Sequence, residues 1–201
     1  MNRVLRIAVA DDEVDMREYF EDVLPRLGHV VVCSAANGRQ LVAMCRTLKP
    51  DVVITDIKMP DMDGLDAARE LYRDSPLPII LVSAYHDPEF IERAERNHIL
   101  AYLIKPIEQE DLMAAIAIAS RRFDEFESLR REATNLRQAL DDRKVIERAK
   151  GILMKYSNLD EPTAFRHLQK VASAKNKRLV EIAQMILTTM ETFQAADGRH
   201  D

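Results

Sequence analysis

Three aspartates stand where two apolar runs of the sequence end. Asp11 and Asp12 follow the run LRIAVA, and Asp56 follows the run VVIT. If the fold brings them together, their carboxylates repel one another in a low dielectric and attract a hard divalent cation such as Mg²⁺. Such a metal also shields a carboxylate nucleophile from an incoming anionic phosphoryl group. The three residues therefore predict a magnesium site at which a carboxylate could act as the nucleophile toward a phosphoryl group.

Two further side chains suit the same chemistry. Ser83 ends the run IILVS, and Lys105 follows the run AYLI. The Lys105 ammonium group can neutralise a phosphoryl oxygen, and the Ser83 hydroxyl can donate a hydrogen bond to another. An aspartate at a strand end is by itself more often a helix cap than a nucleophile. It is the joint placement of all five residues that favours a single site.

The elements that must position these residues alternate along the first 120 positions. Short β-branched runs predict the strands Leu5–Ala10, Val30–Cys33, Val52–Thr55, Ile79–Ser83 and Ala101–Ile104. Amphipathic stretches predict the helices Glu13–Leu27, Gly38–Leu48, Leu65–Arg73, Pro88–Asn97 and one that begins at Gln109. This alternation predicts the α/β class, with a doubly wound, five-stranded parallel sheet. Functional residues of such sheets gather beyond the carboxyl ends of the strands, where all five candidates lie.

Residues 4–119 resemble a response-regulator receiver domain, which has a flavodoxin-like fold. The motifs that carry the resemblance are VADDE, TDIKMPDMDG, SAY and AYLIKP, at the first, third, fourth and fifth strands. The resemblance implies that Asp56 accepts a phosphoryl group from a sensor histidine kinase. It also implies that Mg²⁺ is held by the carboxylates of Asp12 and Asp56 and the main-chain carbonyl of Lys58, with Asp11 assisting.

The same resemblance implies how phosphorylation is sensed. Ser83 and Lys105 are expected to contact the phosphoryl oxygens, and the Lys105–Pro106 peptide bond is expected to be cis. Tyr102 matches the aromatic switch position, where the ring follows Ser83 inward once Asp56 is phosphorylated. The alternative interpretation is an ordinary strand aromatic, because tyrosine is common in strands.

The C-terminal part of the chain predicts helices alone. An apolar 3,4 pattern favours a coiled-coil linker helix, and the alternative is one helix packed on its own domain. The residues of this seam are Ala119, Phe126, Leu129, Ala133, Leu136 and Leu140. Two more helices are predicted over Glu161–Lys175 and Leu179–Gln194. Helical spacing predicts a small core of Ile146, Ala149, Leu153, Ala164, Leu168, Val171 and Ala172.

Positive charge is concentrated in the same region. Residues 143–178 hold ten Lys and Arg against three Asp and Glu, a net charge of +7 in a chain whose formal net charge is −5. This density predicts an anionic partner, whereas the simpler interpretation is a solvated helix surface. We found no metal-ligand motif, phosphate loop or nucleophile–base pair there, so the protein is not expected to be an enzyme.

The region from about 136 to 190 resembles the ANTAR domain, the antitermination-regulator module found behind receiver domains in bacteria. The matching elements are AKGILM, the acidic cap DE before AF, HLQKVA and KRLVEIAQMIL. The resemblance implies binding to hairpin loops in nascent RNA, which prevents an intrinsic terminator from forming. The predicted RNA-binding residues are Arg143, Lys144, Arg148, Lys150, Lys155, Tyr156, Lys175, Asn176, Lys177 and Arg178.

The predicted organisation is a receiver domain over 1–120, a coiled-coil linker over 121–140 and an ANTAR domain over 141–195. Phosphorylation is expected to promote homodimerisation through residues 119–140. No run approaches the roughly 18 apolar residues of a membrane span, so a cytoplasmic location and no membrane partner are expected. Cys33 and Cys45 lack metal or disulfide spacing and are expected to be buried thiols.

Two other functions remain open at this point. A DNA-binding regulator is the first alternative, because receivers commonly precede helix-turn-helix domains. The last helix, VEIAQMILTTMETF, is nevertheless too apolar and acidic to enter a DNA groove. The second alternative is a protein-binding adaptor, in which the seam matters and the basic surface does not.

Overall fold

The computed structural model describes residues 3–84 and 99–197, with side chains described up to residue 192. The chain divides into two compact units, Met1–Ser128 and Leu129–Asp201. The division falls inside the predicted linker, and the predicted domain boundaries at 120 and 140 stay predictions. Among the described residues, no helix combines the length and the apolar character that crossing a bilayer requires.

The first unit is built on a parallel sheet, as the alternating pattern predicted. Its strands are β1 (Arg6–Ala10), β2 (Val30–Ala35), β3 (Val52–Asp56), β4 (Ile79–Ser83) and β5 (Ala101–Ile104). The strand order is β2-β1-β3-β4-β5, which confirms the five-stranded, flavodoxin-like fold. Strands β3 and β4 are buried at every residue, because helices cover both faces of a parallel sheet.

Four described helices accompany these strands or follow them. They are α1 (Val14–Arg26), α2 (Gly38–Leu48), α3 (Gly64–Asp74) and α4 (Gln109–Ser157). Helices α2 and α3 begin where they do because Asn37 and Asp63 accept hydrogen bonds from the main-chain N–H groups of Gln40 and Asp66. The helix predicted over Pro88–Asn97 lies outside the described residues.

The sheet separates two apolar layers. One layer packs α2 and α3 on the sheet and contains Cys33 and Cys45, which are buried free thiols as expected. The other layer packs α1 and the start of α4, and it includes Ala119, which is fully buried. The prediction of Ala119 as a coiled-coil residue is therefore wrong, since this side chain packs on its own domain.

The second unit has a small helical core. Helices α5 (Glu161–Lys175) and α6 (Leu179–Asp197) pack with the last part of α4 around buried residues that include Ala149, Leu168 and Ala183. Asp160 caps α5 by accepting a hydrogen bond from the Thr163 N–H group. The predicted core residues Ile146, Leu153 and Val171 pack against this cluster, and Ala164 is fully buried.

Candidate functional site

The three aspartates singled out in the sequence meet at one edge of the sheet. Asp11 and Asp12 directly follow β1, and Asp56 is the last residue of β3, the strand that pairs with β1. One carboxylate oxygen from each residue lies within 4.8 Å of the other two. Asp11 and Asp56 are buried, whereas Asp12 is exposed. Oxygen ligands with one side open to water suit Mg²⁺, which keeps part of its hydration shell in proteins.

Lys105 lies against this cluster. Its Nζ atom is 2.9 Å from Oδ2 of Asp11, 3.6 Å from Oδ1 of Asp56 and 3.1 Å from Oε1 of Glu13. The peptide bond between Lys105 and Pro106 is cis, as expected. The contact with Glu13 was missed in the sequence, although the run DDE places this carboxylate directly after the paired aspartates. Lys105 thus compensates part of the negative charge of the cluster.

The electrostatics of Asp56 follow from its burial. Desolvation raises the pKa of Asp56 to about 6, and the charges of Asp11 and Asp12 raise it as well. The Lys105 ammonium group and the Lys58 N–H, which donates to Oδ2 of Asp56 at 3.0 Å, oppose this increase. Burial also raises the pKa of Asp11. The cluster therefore carries uncompensated negative charge near neutral pH, which favours binding of a divalent cation.

This burial has a measurable effect on stability in metal-free buffer. The raised pKa of Asp56 means that the folded protein binds more protons than the unfolded chain between about pH 4 and pH 6. The stability of the wild type should therefore fall across this window as the pH rises. We expect Asp56→Asn to be more stable by about 1–3 kcal/mol above pH 6 and to lose this advantage below about pH 4.

Urea unfolding across this pH range measures the difference. Added Mg²⁺ is the control, because a ligand that binds only the folded wild type should narrow the gap. A gap that is constant from pH 3.5 to pH 8 would contradict a desolvated Asp56 carboxylate.

The main chain around Asp56 is closely packed against the start of α3. A Cβ atom added to Gly64 would lie 2.0 Å from the Asp56 carbonyl oxygen and 3.1 Å from Oγ1 of Thr55. The Gly64 N–H donates to the Ile57 carbonyl at 2.8 Å, and the Thr55 hydroxyl donates to the Asp56 carbonyl at 3.0 Å. In the sequence, Gly64 is only the last residue of the motif TDIKMPDMDG. Because Gly64 has no side chain, the start of α3 can lie this close to the Asp56 carbonyl, and the hydrogen bond from the Gly64 N–H can form.

The residues predicted to sense phosphorylation lie on neighbouring strands. Ser83 ends β4 and is buried, and its carbonyl accepts a hydrogen bond from the Lys105 N–H at 2.8 Å. Tyr102 lies on β5 opposite Leu81 and packs, partly buried, against the apolar layer of α2 and α3. The tyrosine of the SAY motif, Tyr85, lies outside the described residues. The switching roles of Ser83 and Tyr102 stay predictions.

The second unit presents most of the predicted RNA-binding residues to solvent. The exposed members of the set are Arg143, Lys144, Arg148, Lys155, Tyr156, Lys175, Asn176, Lys177 and Arg178. The Tyr156 side chain is 56% exposed, so it does not belong to the core. The Nζ atom of Lys155 lies 5.6 Å from the centre of this ring. These side chains are accessible to a polyanion, and their contacts with RNA stay a prediction.

Lys150 corrects one of the sequence-based predictions. Its side chain is buried, and its Nζ atom lies 2.7 Å from Oε1 of Glu161 and 2.8 Å from Oε2 of Glu147. It also lies 5.9 Å from the centre of the Phe165 ring. Contact with an RNA phosphate would break both ion pairs. Lys150 therefore joins α4 to the start of α5 rather than reaching outward.

We expect Lys150→Met to destabilise the second unit and to speed amide exchange in α5, because Glu161 and Glu147 lose their common cation. Lys144→Met is the matched control, since Lys144 lies on the same helix with an exposed side chain. Urea unfolding of the full chain, followed by amide exchange in α5, measures the loss. If the amides of α5 are equally protected from exchange in both variants, Lys150 does not join α4 to α5.

The chain is similar in sequence to known protein families over both units. The response regulator receiver domain matches residues 7–117, and the ANTAR domain matches residues 134–187. Both resemblances seen in the motifs are therefore confirmed. The receiver match lies within the predicted 1–120 domain, whereas the ANTAR match begins inside the predicted linker.

Individual relatives agree with these matches. The transcriptional regulatory protein PdtaR of Mycobacterium tuberculosis is 36% identical over 187 residues, which cover 93% of this chain and 91% of that protein. The chemotaxis protein CheY of Thermotoga maritima is 32% identical over 117 residues, covering 58% of this chain and 98% of CheY. A solved receiver domain protein from Clostridium thermocellum has a TM-score of 0.57 at 28% identity, covering 61% of this chain and 99% of that chain. The similarity to PdtaR thus spans both units, whereas the similarities to CheY and to the solved receiver domain cover about 60% of this chain.

Proposed function

Because this chain belongs to the response regulators that join a receiver domain to an ANTAR domain, we propose that it is a phosphorylation-controlled antitermination regulator. In this proposal a histidine kinase phosphorylates Asp56, and the C-terminal domain binds hairpin loops in nascent RNA. The observation that supports it most directly is the cluster of three carboxylates beside the Lys105 ammonium group. A cytoplasmic location is part of the proposal, since nascent transcripts are found there in bacteria.

The cluster suits Mg²⁺ by charge as well as by ligand type. Ionised Asp11, Asp12 and Asp56 carry three negative charges, and Lys105 supplies one positive charge against them. A divalent cation would bring the site close to neutrality. We propose that the three carboxylates and the Lys58 carbonyl would hold it. When bound, the cation would supply positive charge beside the phosphoryl group that the Asp56 carboxylate attacks.

Phosphorylation of Asp56 adds about one negative charge and new acceptor oxygens at the end of β3. Lys105 is within 3.6 Å of Asp56 and can turn from Asp11 and Glu13 toward a phosphoryl oxygen. Ser83, on the neighbouring strand β4, can donate to another. We propose that Ser83 moves inward and that Tyr102 follows, so that phosphorylation changes the conformation of the surface formed by β4 and β5.

The apolar seam on α4 supports a dimeric active form. Phe126, Leu129, Leu136 and Leu140 are 42%, 66%, 60% and 60% exposed. Because Leu129, Leu136 and Leu140 are exposed and have helix-pairing spacing, we propose that the seam pairs with a second copy after phosphorylation. Two output domains would then bind paired hairpins with increased avidity.

Sedimentation of the protein with and without beryllofluoride tests the dimer. We expect twice the monomer mass only with beryllofluoride and Mg²⁺, and Leu136→Glu should prevent it because a charge enters the seam. The surface variant Arg137→Glu, one position away on the same helix, is the control for added negative charge. Identical masses in both states would refute the proposed coupling.

Binding measurements with hairpin RNA and with duplex DNA distinguish the three candidate functions, which predict binding to the RNA, to the DNA or to neither. RNA contacts dominated by phosphate should weaken steeply with salt. Replacing Lys175, Lys177 and Arg178 by Gln should weaken RNA binding about tenfold or more and reduce the salt slope by up to about 3. The matched control is Arg121, Arg131 and Arg137→Gln, which removes equal charge from exposed positions outside the predicted surface. Preference for duplex DNA would favour a DNA-binding regulator, and binding to neither would favour a protein-binding adaptor.

A further inference from the structure

Helix α6 carries an exposed methionine between two hollows in the surface of the second unit. Met185 is 42% exposed although it follows the buried pair Ile182 and Ala183 along the helix. The first hollow, of about 330 Å³, has an apolar floor that includes Leu153, Val171 and Ile186. The second, of about 420 Å³, lies along the other side of α6. Met185 and Thr189 line both hollows and form the ridge between them.

Each hollow has a lysine at its rim. Lys175 lines the first hollow and Lys177 lines the second. Both belong to the turn between α5 and α6, where Asn176 has a positive φ of 51° and the Lys177 N–H donates to the Ala172 carbonyl at 3.0 Å. The main chain of the turn is therefore held by hydrogen bonds, and the two exposed lysines extend from it beside the ridge.

We propose that this ridge receives unpaired nucleotides of an RNA loop, with a base in the apolar hollow and the adjoining phosphates at Lys175 and Lys177. We name this surface, formed by the two hollows and the Met185–Thr189 ridge, the base-receiving surface. The inference rests on the proposed RNA-binding function and goes beyond it by naming where bases, rather than phosphates, are bound.

The chemistry of the surface suits a base. Every base has an apolar π-face, and a methionine thioether makes favourable contacts with aromatic rings. The hydroxyl groups of Thr188 and Thr189 already donate to the carbonyls of Gln184 and Met185, so they offer acceptor oxygens to base amino groups. Gln184, exposed at the second hollow, has both a donor and an acceptor with which to read a base edge.

Charge favours RNA over a second copy of this chain as the occupant. Among the described residues that line the two hollows, Glu181 has the one carboxylate, which accepts a hydrogen bond from the Arg178 N–H at 2.8 Å and so caps α6. A two-fold contact through the same surface would place Lys175, Lys177 and Arg178 of both copies in one interface, and this concentration of positive charge is unfavourable. An RNA loop, in contrast, can place its phosphates at the lysines and an unpaired base against the apolar residues.

The test uses the full chain and hairpins with a fixed stem and a randomised loop, from which the wild type selects its preferred RNA. Met185→Ala is expected to weaken binding of that RNA about fivefold, because the contact between the thioether and a base is lost. The salt slope should stay unchanged, since no charge is removed. Met154→Ala is the matched control, because Met154 is 38% exposed in the same unit and lines neither hollow.

Abasic replacement of loop nucleotides, one at a time, completes the test. At one position the abasic RNA should bind the wild type and Met185→Ala equally, which identifies the base that the ridge receives. Equal affinities of Met185→Ala and Met154→Ala for the intact loop would overturn the inference, and so would a changed oligomeric mass of Met185→Ala without RNA. If the wild type selects no RNA, the proposed function itself fails, a result distinct from these.

Discussion

Asp56→Asn is expected to abolish covalent phosphorylation by acetyl phosphate in the presence of Mg²⁺. The amide cannot act as the carboxylate nucleophile, and it removes one of the three carboxylates that meet within 4.8 Å. Intact mass spectrometry of wild-type protein should show the added phosphoryl group, and its loss on treatment with hydroxylamine should identify an acyl phosphate. The variant should show none, so the expected effect is a complete loss.

Asp61→Asn is the matched control for this result. Asp61 lies in the same loop with an exposed side chain, and its φ of 64° is one that asparagine adopts readily. It should be phosphorylated like the wild type. If Asp56→Asn is phosphorylated to the same extent as the wild type, the phosphoacceptor is another residue. Loss of phosphorylation in Asp61→Asn would likewise contradict the assignment of Asp56.

Gly64→Ala is expected to cause the largest combined loss of stability and phosphorylation among single substitutions near the site. The added Cβ would lie 2.0 Å from the Asp56 carbonyl oxygen, which is main chain and cannot rotate away. The loop must therefore shift, at a cost on the order of 3 kcal/mol of unfolding free energy. A displaced Asp56 carboxylate should also be phosphorylated roughly a hundredfold more slowly.

Gly151→Ala provides the comparison, because a Cβ atom at Gly151 meets no atom within 4 Å in its helix. That substitution should stabilise the protein slightly, by up to about 1 kcal/mol, since alanine favours helix more than glycine does. Urea unfolding and the rate of phosphorylation by acetyl phosphate measure both effects. A Gly64→Ala protein with wild-type stability and rate would show that the Asp56 loop is not held by this close approach.

The phosphoacceptor site could be predicted from the sequence because it depends on a general property of parallel sheets. Asp11, Asp56, Ser83 and Lys105 each lie at or just after a strand end, and parallel strands place those ends at one edge. In the described part of the chain, the predicted bounds of the strands and of α1, α2 and α3 agree with the structure to within two residues, since buried apolar runs are local signals. Helix α6 ends three residues later than predicted.

Contacts between elements could not be predicted in this way. The sequence shows Lys150 as one more cation in a basic run, but its place beside Glu161 depends on how α5 packs on α4. Ala119 fitted a helix-pairing pattern, and only packing against the sheet decided that it is buried in the receiver core. Gly64 is visible in the sequence only as the last residue of the motif TDIKMPDMDG, whereas its approach to the Asp56 carbonyl is a distance between the two ends of the loop that joins β3 to α3.

The sequence by itself determined the fold class, the family and the convergence of the acidic residues, because residue type and period specify strands, helices and the edge where strands end. The tertiary structure alone decided which charges are buried or paired and where hollows such as those beside Met185 open. The physical reason is that burial and close contact depend on which residues are neighbours in space. The order of residues along the chain does not specify those neighbours.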